Sequence, residues 1–371
     1  MMKFRYNFHL GACLEYTGKV DDQPVKVQFL DANTNTLIYE TIITPNTWTR
    51  PFPYHFIKWC IRVTTLDNAI LWEHTLNLSG KRVIIAYPYT TLGDFLCWMP
   101  VFERFRTEHN CHLIVQCSKI NYINSVCKSY PNIFFTTDYK NLINESIYAV
   151  YEPSLQIYDR VFWDGKYPRY TTPQQAASTC LGLKHRALPL LIDYDDTRPD
   201  IDGKYVCITE YSQSNFEKNW LYPNGWQTVA DFLMEKGYKV VPISNEPSNL
   251  IGSNIINRTG LPITEIARYI KYSECVIGAA TAAVCIGIAT NTPTISVITN
   301  AWMDSDFPAY YVYNHDEGTC FGCYTWKSQN EKCDKKQRLD WAPNWIDVPE
   351  CSLNISPDMI INQLKNVLKI L

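Results

Sequence analysis

Over residues 1–80, apolar and polar residues alternate in short stretches that are separated by turn-forming residues. The stretches are VKVQFLD, TLIYETII, HFIKWCIRV and AILWEHTL, and the separating segments are KVDDQP, DANTNT and TLDN. Alternation of this kind, bounded by Asp, Asn and Pro, is typical of β-strands. We therefore predict that residues 1–80 form a small β-barrel, with a sandwich as the alternative.

From Lys81 onward the pattern changes to an alternation of strands and helices. KRVIIAYPY is an apolar, β-branched stretch, and the following LGDFLCWMPVFERFRTEH has its apolar residues at helical spacing. The next three segments, HLIVQCS, INYINSVCKSY and IFFTT, predict a strand, a helix and a strand. Such alternation indicates a parallel sheet with right-handed crossovers, so residues 81–197 are predicted to form a Rossmann-like domain.

A second α/β unit is predicted over residues 198–314, after an acidic, proline-bearing linker, DYDDTRPDIDGK, at 193–204. Its predicted strands are YVCITEY, KVVPIS, ECVIGA and PTISVI, and its predicted helices are PNGWQTVADFLMEKGY, LPITEIARYIKYS and TAAVCIGIATN. A cysteine-rich segment, 315–352, separates this unit from a predicted amphipathic helix within 353–371, which opens on Ser356.

Length and charge limit the classes of function. A chain of 371 residues is longer than a single hydrophobic core usually accommodates, so two or three domains are expected. The net charge is −3 and no block of lysine and arginine occurs, so the charge pattern indicates neither a nucleic-acid nor an anionic-membrane partner. No apolar run approaches the roughly 18–20 residues of a membrane span. Because the start, MMKFRYNFHLG, contains no apolar signal region, we expect a cytoplasmic protein.

Four of the 14 cysteines are set apart from the others. Most of the first ten lie in apolar surroundings, as Cys97 in FLCWM does, and are expected to be small buried residues. The remaining four lie among polar residues: Cys320, Cys323, Cys333 and Cys351. A reducing compartment disfavours disulfides, and a C-x-x-C pair lets two sulfurs reach one tetrahedral ion. We therefore predict a four-cysteine metal finger over 315–352, whose spacing does not distinguish zinc from iron.

Three positions could carry chemistry at the carboxyl ends of the predicted parallel strands, where ligands bind. Asp94 opens the first helix of the first unit, and a carboxylate there is also favoured by the helix dipole alone. Lys218, in KNWLYPNGW, could bind a diphosphate or be a solvated surface lysine. The small residues of GAATAAV, 278–284, would let helix N–H groups approach a phosphate, although helix–sheet packing also favours alanine.

Other constellations are weaker. Aspartate pairs of the D-x-D type can hold Mg²⁺ or Mn²⁺ on nucleotide-sugar phosphates, and three such pairs occur: Asp193/Asp195, Asp200/Asp202 and Asp304/Asp306. The first two pairs fall in the predicted linker and are expected to be solvated charge, whereas the third remains an alternative ligand set. No His/Asp/Ser arrangement supports a hydrolase.

Three segments together resemble the bacterial autotransporter heptosyltransferases, the TibC-like relatives of glycosyltransferase family 9. These segments are RVIIAYPYTTLGDFLCWMPVFERFRTEHNC, YVCITEYSQSNFEKNWLYPNGWQTVADFLMEKGYKVVPIS, and the C-x-x-C segment with its later cysteine. The most specific parts are LGD with W-x-P, and K-x-W-x-x-P-N-G-W. With the β-rich start, the resemblance covers nearly the whole chain. It implies a glycosyltransferase B fold, in which two Rossmann-like domains face each other across the active-site cleft.

The resemblance also implies a function and a set of roles. It implies an inverting transfer of heptose from ADP-heptose to serine of an autotransporter protein, without a catalytic divalent metal, by a large homo-oligomer. Asp94 matches the catalytic base and Lys218 the lysine that contacts the donor phosphate. Thr281, Ala282 and Ala283 fall where a helix start receives the donor diphosphate. Three cysteines match ligands of a structural iron site: Cys320, Cys323 and Cys351.

The chain departs from the family pattern at several positions. Ala342 stands where the family has its remaining finger cysteine, so Cys333 has taken over the role, or the site has three ligands or is lost. Phe95 replaces the usual Thr after LGD, and the small-residue loop is rich in Ala instead of Ser and Gly. These changes suggest a different sugar or acceptor. One alternative is therefore a phage-type DNA glycosyltransferase that adds a pentose or hexose from a UDP-sugar to hydroxymethylated cytosine.

An alternative of another class is a non-catalytic scaffold, stapled by a metal, or a sugar-binding module. The presence of both Asp94 and Lys218 argues against this loss of catalysis.

Overall fold

The computed structural model describes residues 3–53, 55–87, 91–143, 146–154, 161–162, 172–212, 218–299, 307–314, 320, 336–337 and 347–370. The strands are β1 Lys3–His9, β2 Cys13–Thr17, β3 Val25–Asp31, β4 Thr36–Ile43, β5 Thr47–Thr49, β6 Trp59–Thr64, β7 Ile70–Thr75, β8 Arg82–Ala86, β9 His112–Gln116, β10 Phe134–Thr136, β11 Ile147–Tyr151, β12 Tyr205–Thr209, β13 Lys239–Pro242, β14 Cys275–Ala279, β15 Thr294–Val297, β16 Tyr310–Val312, β17 Lys336–Gln337 and β18 Val348–Pro349. The α-helices are α1 Leu92–His109, α2 Asn124–Cys127, α3 Pro173–Cys180, α4 Gly225–Glu235, α5 Ile263–Lys271, α6 Ala282–Ala289, α7 Glu350–Leu353 and α8 Pro357–Leu368.

The N-terminal strands divide between two sheets and, over the described residues, do not close into the predicted barrel. Four of them form an antiparallel sheet in the order β4-β3-β6-β7, whereas β1, β2 and β5 extend the sheet of the first α/β unit. The reason lies in the alternation of β1. Its aromatic face packs on the four-stranded sheet, with the Tyr6 ring 5.3 Å from Trp72, while its edge pairs in parallel with β11. The prediction of a barrel is therefore wrong.

The first α/β unit is built on a seven-stranded sheet in the order β10-β9-β8-β11-β1-β2-β5, in which β8 to β11 are parallel neighbours. The predicted strands β8, β9 and β10 are confirmed, and α1 covers the whole predicted segment. The second predicted helix is reduced to the single turn α2. The sequence patterns did not reveal β11 or α3.

The second unit contains a five-stranded parallel sheet in the order β13-β12-β14-β15-β16. Its four predicted strands and three predicted helices are confirmed, and the central strands β12 and β14 are buried at every position. Continuous apolar strands of this kind are expected where helices cover both faces of a parallel sheet. The predicted C-terminal helix is α8, with Ser356 at its N-cap.

The motif WLYPNGW is explained by packing at the start of α4. The helix begins at Gly225, where a β-carbon would lie 2.5 Å from the buried Trp220 ring, so only glycine fits. Trp220 also meets Trp226 edge-on, with ring centroids 4.9 Å apart, and donates from its indole nitrogen to the carbonyl of Ile355 at 2.8 Å. These contacts fix the chain that follows Lys218.

No described helix has the length and apolarity that crossing a membrane requires.

Candidate functional site

A cavity of about 690 Å³ lies between the two α/β units, at the carboxyl ends of their parallel strands. Both units line it: the first contributes residues from the start of α1 and the turn after β9, and the second contributes residues that follow β12, β13 and β14. All five positions that the sequence assigned to catalysis and donor binding line this cavity: Asp94, Lys218, Thr281, Ala282 and Ala283. Residues from two sheets and separate chain segments therefore meet at one site.

Asp94 lies in the first turn of α1, where it faces the cavity. The side-chain hydroxyl of Thr91 donates a hydrogen bond to its Oδ2. Thr91 occupies the N-cap position of α1 with extended backbone, but its hydroxyl accepts no hydrogen bond from the helix backbone. The carboxylate is thus held by a neighbouring side chain at the cavity wall.

Lys218 reaches the cavity from the loop between β12 and α4, and its backbone is anchored on both sides. Its carbonyl accepts a hydrogen bond of 2.9 Å from the hydroxyl of Thr299, a fully buried residue after β15. The next residue, Asn219, is 1% exposed and accepts from the backbone N–H of Ser212 at 2.5 Å. The anchored backbone positions a flexible ammonium group over the carboxyl edge of the second sheet.

Residues 281–283 form the start of α6, directly after β14. Thr281 is the N-cap residue, and its Oγ1 is buried without a hydrogen-bond partner among the described residues. The first N–H groups of a helix have no intrahelical partner and carry the positive end of the helix dipole. A hydroxyl group and several N–H groups at this wall can therefore bind an anion.

Helices α1 and α6 lie side by side and run in the same direction, although they belong to different units. A β-carbon added at Gly93 would lie 3.5 Å from the backbone nitrogen of Ala282. One turn further along, the sulfurs of Cys97 and Cys285 are 3.8 Å apart. The carboxylate of Asp94 and the N–H groups at the start of α6 consequently lie on the facing first turns of these two helices.

The structure adds cavity residues that sequence reasoning missed, among them Lys119, Tyr122 and Tyr211. Each follows a parallel strand, so the rule that ligands bind at carboxyl strand ends was the signal available for them. Beside this wall lies Glu210, which is 3% exposed, and burial raises the pKa of its carboxyl above the usual range. Hydrogen bonds from the side chain of Ser248 and the backbone of Asn249 partly offset that effect.

The predicted metal ligands are only partly covered by the structure. Cys320 is half-buried, and Cys351 is buried in α7, whereas Cys323 and Cys333 lie outside the described residues. Within the described ranges, no three His, Cys, Asp or Glu side chains form a group that could hold a metal ion.

Neither of the first two aspartate pairs, Asp193/Asp195 and Asp200/Asp202, is part of the cavity wall that the described residues form. Asp193 instead lies 3.8 Å from the ammonium group of Lys128 and is exposed to solvent. The pair Asp304 and Asp306 falls outside the described residues.

Comparison of the sequence with known proteins finds that it is similar to autotransporter heptosyltransferases. The chain is 28% identical to the heptosyltransferase BAHTCr of Citrobacter rodentium over 327 residues, which cover 85% of this chain and 78% of the relative. It is 27% identical to TibC of enterotoxigenic Escherichia coli, with 82% and 76% covered. It is also 26% identical to BimC of Burkholderia thailandensis, named an inactive autotransporter heptosyltransferase, with 82% and 72% covered. No family model matches the chain.

Solved structures show the same fold. The crystal structure of TibC, an iron-containing dodecameric glycosyltransferase, matches with a TM-score of 0.80 at 23% identity, covering 99% of this chain and 96% of TibC. TibC in complex with ADP-heptose matches with a TM-score of 0.78 and the same identity and coverage. Heptosyltransferase II of Escherichia coli lipopolysaccharide synthesis is more distant, with a TM-score of 0.52 at 10% identity, covering 78% and 98%. The resemblance to autotransporter heptosyltransferases is thereby confirmed over most of the chain.

Proposed function

We propose that this protein is an inverting glycosyltransferase that transfers a sugar from a nucleotide-sugar donor to an acceptor hydroxyl. One observation carries the proposal: the Asp94 carboxylate, the Lys218 loop and the start of α6 line one cavity between two Rossmann-like units. A carboxylate beside an anion-binding helix start is what an acid–base reaction with a diphosphate leaving group requires. The similarity to named heptosyltransferases supports the same reaction class.

In the proposed mechanism Asp94 acts as the general base. It takes the proton of the acceptor hydroxyl as the oxygen attacks the anomeric carbon, and the leaving diphosphate departs from the opposite face. The transition state is expected to resemble an oxocarbenium ion, as in glycoside cleavage. Lys218 and the N–H groups of residues 281–283 stabilise the charge that develops on the diphosphate. This cationic wall takes the place of a catalytic divalent metal.

The proposed donor is ADP-heptose, and the proposed acceptor is serine of an autotransporter protein. The fold shared with a TibC structure that contains ADP-heptose supports the donor, and the names of the relatives support an autotransporter protein as the acceptor. Serine as the acceptor residue follows only from the family resemblance. The Ala-rich start of α6 and Phe95 depart from the family pattern. The experiments therefore also test the alternative of a UDP-sugar donor with hydroxymethylated cytosine as the acceptor. The cytoplasmic location stays a prediction from the sequence.

A panel of nucleotide sugars tests the donor. A ligand present at 100 times its Kd stabilises a protein by about 2.7 kcal/mol, so the true donor should raise the melting temperature clearly. We expect ADP-heptose to give the largest rise, whereas a larger rise with a UDP-sugar would favour the alternative donor. No rise with any member of the panel would contradict the assignment of the cavity.

Variants of Asp94 and Lys218 test the reaction. Asp94→Asn should keep donor binding and reduce turnover by roughly 10²–10⁴-fold, the usual contribution of a general base. Lys218→Ala should weaken donor binding and turnover together, whereas Lys204→Ala, a change at an exposed lysine, should alter neither. Because BimC is named inactive, turnover itself is the deciding measurement. Turnover in Asp94→Asn close to that of the original protein would contradict the assignment of the base.

We also propose that Cys320, Cys323, Cys333 and Cys351 hold a structural iron or zinc ion. The antiparallel pairing of β17 with β18 places Lys336 opposite Pro349. In the sequence, Cys333 precedes Lys336 by three residues and Cys351 follows Pro349 by two. In this antiparallel register the segments before Lys336 and after Pro349 leave the ladder at the same end. Three residues span at most about 10 Å, so the chain allows both sulfurs to reach one ion. The iron-containing and dodecameric TibC supports both iron and a homo-oligomer here.

A further inference from the structure

We propose that Thr91 is a positioning residue for Asp94, holding its carboxylate in the orientation that accepts the proton of the acceptor hydroxyl. The inference rests on the proposed role of Asp94 as the base. Its basis is the hydrogen bond from the Thr91 hydroxyl to Oδ2 of Asp94 at the wall of the cavity. Thr91 touches the base rather than the reacting atoms, so its effect on the reaction passes through Asp94.

The side chain of Thr91 is used differently from that of an ordinary N-cap threonine. At an N-cap, the side-chain oxygen usually accepts a hydrogen bond from a backbone N–H in the first turn. Thr172, at the N-cap of α3, follows this rule and accepts from the N–H of Gln175 at 3.0 Å. Thr91 has a similar extended backbone, but its hydroxyl makes no such cap and donates to Asp94 instead. The start of α1 thus gives up a stabilising cap in favour of a contact with the carboxylate.

This contact decides which way the carboxylate faces. Asp94 is the third residue of α1, the position from which an acidic side chain commonly turns back to accept from the N-cap backbone N–H. A carboxylate in that orientation would be hydrogen-bonded to its own helix and would not face the acceptor. The bond from the Thr91 hydroxyl occupies Oδ2 and leaves Oδ1 for the acceptor. Holding a base in its productive orientation removes the entropy of ordering it from the reaction barrier.

The experiment compares Thr91→Val, which keeps the side-chain shape and removes the hydroxyl, with Thr91→Ser, which keeps the hydroxyl. The probe is ADP-heptose, or the nucleotide sugar that most raises the melting temperature, with nucleotide release as the readout. A hydrogen bond to a charged group corresponds to a fall in kcat of roughly 10–100-fold for Thr91→Val. The KM for the donor should stay within about twofold, because the donor-binding wall is unchanged, and Thr91→Ser should restore most of kcat.

Stability separates this role from a structural one. Thr91 makes no cap, and Thr91 and Asp94 are both half-buried at the cavity wall, where water can replace the lost hydrogen bond without fixing the orientation of the carboxylate. Thr91→Val should therefore leave the melting temperature nearly unchanged. Thr172→Val removes a true cap, worth about 1 kcal/mol, and should lower the melting temperature. An equal loss of stability in both variants, with kcat falling only in proportion to unfolded protein, would show that Thr91 is structural.

A double-variant cycle with Asp94→Asn tests whether Thr91 acts through the base. Thr91→Val should add little to the loss already caused by Asp94→Asn, since both act on one group. A fully additive double variant, or Thr91→Ser as impaired as Thr91→Val, would overturn the positioning role while the base remains. A fully active Asp94→Asn would instead overturn the proposed function.

A crystal structure of Thr91→Val without donor tests the orientation even if no probe is turned over. The carboxylate should turn toward the helix N–H groups, and an unchanged orientation would overturn the inference.

Discussion

The sulfurs of Cys97 and Cys285 lie 3.8 Å apart although 188 positions separate the two residues in the sequence. They join α1 of the first unit to α6 of the second, one turn away from Gly93 and Ala282, and both line the cavity. A test of whether these two sulfurs are adjacent is therefore a test of how α1 packs against α6 at the site.

A mild oxidant should link these two residues. With oxidised glutathione, thiol–disulfide exchange would join Cys97 to Cys285 and release two molecules of reduced glutathione, because Cys285 is only half-buried at the cavity wall and can react first. Mass spectrometry of peptides prepared without reduction should detect the linked pair, and the link should be absent in Cys285→Ser.

A buried pair of cysteines provides the control for this oxidation. Cys207 and Cys275 are fully buried, and burial raises the pKa of Cys207 to about 12. Since thiolate is the reactive form, this pair should stay reduced at neutral pH. If Cys97 and Cys285 each reacted with glutathione but never with each other, the contact between α1 and α6 would be wrong.

Gly93→Ala should weaken donor binding without lowering the stability of the protein. The added methyl group would lie 3.5 Å from the backbone nitrogen of Ala282, an ordinary contact that the fold tolerates. It would, however, cover an N–H group that we assign to the donor diphosphate. Alanine is favoured over glycine within helices by up to about 1 kcal/mol. We expect an unchanged or higher melting temperature without donor, and weaker binding of ADP-heptose by calorimetry.

The opposite pattern would contradict this assignment. If Gly93→Ala bound ADP-heptose as well as the original protein, the diphosphate would not lie against the start of α6.

Glu210→Gln should stabilise the protein at neutral pH. Burial raises the pKa of this carboxyl above its usual 4.5, so the unfolded chain ionises it more readily than the folded protein. A raised folded pKa means that stability is lost as the pH rises from the unfolded value through the folded one. Glutamine carries no charge and can keep hydrogen bonds to Ser248 and Asn249. The gain in melting temperature should therefore be larger at pH 7.5 than at about pH 4.5.

An exposed acid gives the matched control for this experiment. Glu235→Gln, at the end of α4, replaces an exposed carboxylate and should show little dependence on pH. A gain for Glu210→Gln that is the same at both pH values would mean that ionisation of Glu210 does not limit stability.

Local patterns predicted the two α/β units because each strand and helix carries its own periodicity. The apolar run of β8 followed by the helical spacing of α1 placed Asp94 correctly at a strand end. The meeting of Asp94 with residues 281–283 was an implication of the family resemblance, which places the two units on either side of one cleft. These were relationships that one sequence could supply, aided by resemblance to a known family.

Pairing over long sequence separations could not be predicted in this way. Strand β1 has the alternation of a half-buried strand, but nothing within it specifies that its edge pairs with β11, where Phe8 lies opposite Ala149. The barrel was predicted because the 1–80 segment was considered alone. The hydroxyl of Thr91 is a similar case, since its sequence position indicates a helix cap, whereas its rotamer directs it to Asp94.

The cysteine finger gives the last prediction, which concerns Cys333. If this residue replaces the family cysteine that is missing at Ala342, Cys333→Ser should lose metal as severely as Cys323→Ser. A segment of about thirty residues with no core of its own depends on its metal for folding energy. Both variants should therefore become sensitive to proteolysis within 315–352 and lose their oligomeric state, while nucleotide-sugar binding is partly retained.

Elemental analysis and light scattering measure these effects, and Cys13→Ser is the matched control because Cys13 is half-buried in β2, in the N-terminal region. We expect roughly one iron or zinc ion per chain in the original protein and in Cys13→Ser. Full metal content in Cys333→Ser, with loss only in Cys323→Ser, would show that three cysteines suffice and that Cys333 did not take over the role. Less than about 0.2 ion per chain in carefully isolated original protein would show that the cysteines hold no metal.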